Sequence, residues 1–92
     1  VLMMQRYDEE HGTFFYKTLA CYIETRFNAL QTAKRLFIHR STFLYRMDRI
    51  KELFKIDLEN DDVLLYTMLS MKMLELSRSL GPINELPYGK ET

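Results

Sequence analysis

The chain has 92 residues, 47% of them hydrophobic and 13% aromatic, with a formal net charge of zero. That is one domain's worth of chain with enough apolar surface for a modest core, which excludes a disordered tail. It holds no uncharged apolar run of about 18 residues to span a membrane as a helix, and no signal peptide is visible.

Both prolines, Pro82 and Pro87, lie late in the chain. The long stretch before them therefore points to an all-α fold of about five helices. The single cysteine, Cys21, rules out an internal disulfide and suits a reducing, cytoplasmic compartment. It is expected to be a small buried apolar residue. The chain opens at Val1 in an apolar run. It reads as a piece of a longer protein, with a sensor domain expected upstream.

The first helix is expected over about Leu2–Glu10, broken by Gly12, with Thr13 as N-cap of the second. In the second, Phe15, Leu19, Tyr22, Ile23 and Phe27 recur at helical spacing and mark one buried stripe. Asn28, followed three residues later by Gln31, is the start signal for a short helix over Ala29–Leu36. Leu30, Ala33 and Leu36 are expected to face inward there. Phe37-Ile38-His39 interrupts, without glycine or proline. A longer helix over Arg40–Phe54 follows, buried through Phe43, Met47, Ile50 and Phe54. The acidic connector of residues 56–62 then offers Asp61 or Asp62 as cap for a last helix, Val63–Ser79. That helix is apolar on more than one face, so it is expected to be central in the domain or covered by a second chain. Gly81-Pro82 stops it. Residues 1–80 are expected to form the domain and 81–92 a loose tail.

The zero net charge hides an asymmetry. Residues 1–27 carry a net −1, residues 28–55 a net +5 and residues 56–92 a net −4. A basic centre between acidic flanks points to a polyanion partner for the centre alone. Two helices of this size joined by three residues have the dimensions of a helix-turn-helix, whose second helix enters the DNA major groove while the first crosses the backbone. On a helical wheel, Ser41, Tyr45, Asp48 and Glu52 fall opposite Phe43. Leu44 and Arg49 flank that face, and Arg46 lies nearer the buried edge. Ser41 and Thr42, with the free N–H groups of the helix start, suit a phosphate. Arg40 suits a guanine or the backbone.

The run NALQTAKRLFIHRSTFLYRMDRIKEL resembles the C-terminal helix-turn-helix of the purine-catabolism-regulator (PucR-type) family of bacterial transcription regulators, which includes sugar-diacid regulators. The likeness covers about residues 7–76, with YDEEHGT at 7–13 and IDLENDD at 56–62 agreeing on the flanks. The resemblance implies a DNA-binding output domain related to the factor for inversion stimulation. It maps the start of the recognition helix onto His39, Arg40, Ser41, Thr42, Tyr45 and Arg46. Leu44 stands where many relatives place arginine, and Ser41 where asparagine is usual. Leu44 can touch a thymine methyl but cannot donate to guanine.

The candidate DNA-contacting set is Thr32, Lys34, His39, Arg40, Ser41, Thr42, Leu44, Tyr45, Arg46 and Arg49. No glycine-rich loop, metal-ligand spacing or acid–base pair accompanies His39 or His11, so no enzymatic role, cofactor or metal is expected. Duplex DNA is the expected partner. The chain is expected to act as a homodimer, through the last helix. A helical dimerisation or signal-relay module is the alternative, motivated by Leu44, Asp48 and the zero net charge.

Overall fold

A computed structural model describes residues 2–80. They form five helices: α1 (Leu2–His11), α2 (Phe15–Glu24), α3 (Ala29–Leu36), α4 (Arg40–Phe54) and α5 (Asp61–Leu80). Among the described residues there is no strand and no helix long and apolar enough to cross a membrane. The all-α expectation of five helices is met, and α3 and α4 have the expected bounds. The proposed tail, 81–92, and the Gly81-Pro82 stop lie outside the described residues.

The core gathers one stripe from four helices: Met4 of α1, Phe15 and Leu19 of α2, Ile50 of α4 and Met71 of α5. Tyr7, Phe15 and Phe54 pack ring to ring beside it, with centroids 5.7–6.2 Å apart, within the range of favourable aromatic pairs. Phe43 anchors the other end of α4, its ring 5.2 Å from that of Tyr22. Cys21 is buried, as expected. Desolvation pushes its thiol pKa up, against the opposing pull of Arg35. An inert, protonated packing residue results.

Four sequence expectations need correction. Thr13 does not cap α2. Asp8 of α1 does, its carboxylate accepting from the N–H groups of Phe15 and Tyr16 at 2.9 Å each and from the Thr13 hydroxyl. A carboxylate there also meets the positive end of the helix dipole. The cap of α5 is Asn60, whose Oδ1 accepts from Asp62 and Val63 N–H at 3.0 and 3.2 Å. Asp61 and Asp62 form the first turn instead. Leu30 is 58% exposed, because the buried face of α3 centres on Thr32 and Ala33 and Leu30 lies well round the helix from them. Phe27 lies beyond the end of α2 at φ 65°, its exposed ring set edge-on to Tyr22.

Both junctions around α3 turn without glycine. At its end, Phe37 N–H donates to Lys34 O and Ile38 N–H to Ala33 O, the paired bonds of a Schellman motif. Phe37 holds the left-handed position at φ 56°, ψ 42°. The end of α2 repeats the pattern: Arg26 N–H donates to Ile23 O and Phe27 N–H to Tyr22 O.

Candidate nucleic-acid interface

The α3 start is built by Asn28, as expected. Its Oδ1 accepts from Gln31 N–H at 3.0 Å. Thr32 then serves the joint itself. Its hydroxyl donates to Asn28 O at 2.8 Å and sits 2.8 Å from the Thr25 hydroxyl, and the residue is fully buried. It therefore leaves the DNA-contacting set: a side chain sealed between the end of α2 and the start of α3 cannot reach a phosphate.

At the start of α4, His39 caps its own helix. Nδ1 accepts from Ser41 N–H at 3.0 Å and lies 2.8 Å from Ser41 Oγ. An accepting Nδ1 places the ring proton on Nε2 in the neutral form. The first turn thus presents exposed His39, Arg40 and Ser41 side by side, with Thr42 half-buried behind them. Leu44 and Tyr45 continue the surface, Tyr45 being 63% exposed. Asp48 is exposed on the same side, opposite the buried Phe43 and Ile50.

Two of the expected cations are engaged within the fold. Arg46 reaches back to α2, where Nη1 donates to the buried Thr18 Oγ1 at 3.1 Å and the guanidinium lies 5.7 Å from the Phe14 ring centroid. Thr18 in turn donates to Phe14 O at 2.7 Å. Arg46 thus ties α4 to α2. Its wheel position near the buried edge pointed inward, but nothing in sequence singled out Thr18, 28 residues earlier. Arg49 pairs with Glu52 one turn on, at 3.1 Å. Lys34 and Arg40 are exposed, and among the described residues no carboxylate lies within ion-pair distance of either. Arg35 pairs at long range, 3.9 Å, with Glu24, an exposed contact of little energetic weight.

Two helices joined by a tight turn, the second anchored by Phe43 and Ile50 with a polar and aromatic face left to solvent, define a helix-turn-helix of the kind by which transcription regulators hold DNA. Known proteins agree. Residues 15–73 match the family described as the PucR C-terminal helix-turn-helix domain, and the chain belongs to that family. The resemblance expected from NALQTAKRLFIHRSTFLYRMDRIKEL is thereby borne out. Among its relatives is the Bacillus subtilis (strain 168) purine catabolism regulatory protein, 36% identical over 59 residues, 64% of this chain and 11% of that protein. The Escherichia coli (strain K12) carbohydrate diacid regulator is 46% identical over 57 residues, 60% of this chain and 15% of that protein. The B. subtilis proline-responsive transcriptional activator PutR is 36% identical over 58 residues. The chain thus spans a small fraction of the length of these relatives. No solved structure gives a significant match.

Proposed function

We propose that residues 1–80 form the output domain of a longer bacterial transcription regulator, acting in the cytoplasm under an upstream sensor domain, and bind specific duplex DNA with α4 in the major groove. One observation carries this reading. The exposed face of α4 joins Arg40, Ser41, Leu44 and Tyr45 on a helix whose opposite face is locked into the core by Phe43 and Ile50. A rigidly held helix with base-reading side chains at its N-terminal half is what groove recognition needs.

The roles divide by chemistry. Arg40 offers a bidentate donor pair to guanine O6 and N7 or a grip on a phosphate. Ser41, Thr42 and the cap residue His39 sit at a helix N-terminus, where N–H groups and the dipole favour a phosphate. Leu44 offers a methyl contact to thymine and Tyr45 a base edge or sugar. Lys34 lies on the backbone side, and Arg49 reaches DNA on release from Glu52. Such motifs read half-sites about one helical turn, ~34 Å, apart, so two copies act together.

Binding measured by anisotropy across a salt series tests this. Affinity is expected to fall steeply with salt. Arg40→Ala is expected to cost about 1–3 kcal/mol if it reads guanine, or to shallow the salt slope by about one if it holds a phosphate. Salt-independent affinity, or an unchanged Arg40→Ala, counts against the assignment.

Asp48 favours a second reading. An exposed carboxylate on the groove-facing side repels phosphate, as does Glu52 where Arg49 does not neutralise it. A helical interaction module with little DNA affinity follows if no duplex selected from random sequence is retained.

A further inference from the structure

α5 has two apolar faces. The inner one carries buried Thr67 and Met71. Roughly opposite, Tyr66, Leu69, Met73 and Leu76 follow one another at steps of three, four and three, the a/d spacing of a coiled-coil seam. These four are exposed. Leu2 and Met3 of α1 lie alongside, and with Tyr66, Leu69 and Met73 they line an open groove of about 530 Å³. All six are between 57 and 75% exposed.

We infer that this α1–α5 face is the interface between two copies of the chain, an isologous contact with the α5 seam of one copy packed against that of the other. Three observations select a second copy as the occupant. The 3-4-3 repeat is complementary to another helix carrying the same repeat, and a two-fold axis supplies one. The six side chains expose on the order of 700 Å², near the ~800 Å² that each partner of a standard interface contributes and above the largest apolar patch usual on a monomer. The seam's edge carries both signs of charge: exposed Arg6 lies one turn on from Leu2 and Met3, and exposed Asp62 one turn before Tyr66. Ser70 and Ser77 flank it, and Lys72 is already paired with Glu75 of its own helix at 3.6 Å. Two identical copies therefore do not meet across an edge of one sign of charge, which would repel its own copy.

The inference deepens the proposed reading, since two half-sites need two copies, and its test is independent of DNA. Sedimentation equilibrium of the 92-residue chain at high micromolar concentration is expected to give the mass of two chains. Leu69→Glu and Met73→Glu are each expected to halve that mass with unchanged helix content by circular dichroism, because both side chains are exposed in a single copy. Leu65→Glu, one position before the seam, serves as a comparison of equal charge and is expected to have a smaller effect. A chain that stays monomeric, or a dimer that survives both seam substitutions, overturns the interface. Binding to a duplex with a single half-site, measured on the same variants, keeps the two readings apart. Retained binding by a monomeric Leu69→Glu supports both, whereas a dimer without DNA affinity upholds the interface and sinks the DNA reading.

Discussion

Phe37 holds a left-handed backbone conformation while its ring is 95% exposed. A side chain pays about 1–2 kcal/mol for that region, and glycine does not. The exposed ring returns no packing energy. Phe37→Gly is therefore expected to stabilise the chain by about 1 kcal/mol, read as a rise in thermal midpoint with the Schellman turn intact. Arg46 and Arg40 part company at the same scale. Arg46→Ala removes the only donor that the buried Thr18 oxygen accepts from among the described residues, so it is expected to cost about 1 kcal/mol of stability in denaturant melts. Arg40→Ala is expected to leave stability within about 0.5 kcal/mol of the parent, its effect falling on DNA affinity alone. Equal stability losses for the two would contradict the inward placement of Arg46. Tyr16 is a third case. Its hydroxyl is sealed from solvent without a hydrogen-bond partner among the described residues, and burial, assisted by Glu75 and opposed by Arg78, pushes its pKa above 10.0. The protonated phenol is thus favoured in the folded state, so this contribution is whole below pH 10.0 and lost as pH rises through the folded pKa. Tyr16→Phe is expected to leave neutral-pH stability unchanged or slightly raised and to flatten the alkaline decline in a pH series of melts.

Helix starts in this fold are set partly from outside their own segment. Asn28 and Asn60 cap locally, as their sequence neighbourhoods allow. Asp8 caps α2 from another helix, across a turn opened by Gly12 at φ 65°. Asp8→Ala is expected to cost about 1–2 kcal/mol, the usual worth of a charged N-cap, and to fray the first turn of α2. Hydrogen exchange at Phe15 and Tyr16 would report it, and protection as strong as in the parent would rule the cap out. Thr32 makes the same point for the joint between α2 and α3, where one hydroxyl serves two segments. Thr32→Val keeps the shape and leaves Asn28 O and Thr25 short of a partner.

For the molecule as a whole, the five elements and the helix-turn-helix were legible before the coordinates, because helical periodicity and cap residues are local signals. Phe43, Met47, Ile50 and Phe54 announce one stripe by spacing alone, and α3 began where Asn28 predicted. The outward character of Leu44 and Tyr45 followed from the same wheel. Thr32 and Leu30 did not read correctly, because the buried face of α3 centres on Thr32 and Ala33 rather than on Leu30. The sequence by itself determined the helices, the family and the concentration of basic residues over 28–55, since these depend on composition and on neighbours a turn away. Only the tertiary structure decided which polar groups are spent inside. Arg46 finds Thr18 and Asp8 finds the start of α2 because packing brings together residues that the chain separates. It also decided that α5 buries one apolar face, through Thr67 and Met71, and leaves the opposite one exposed among the described residues.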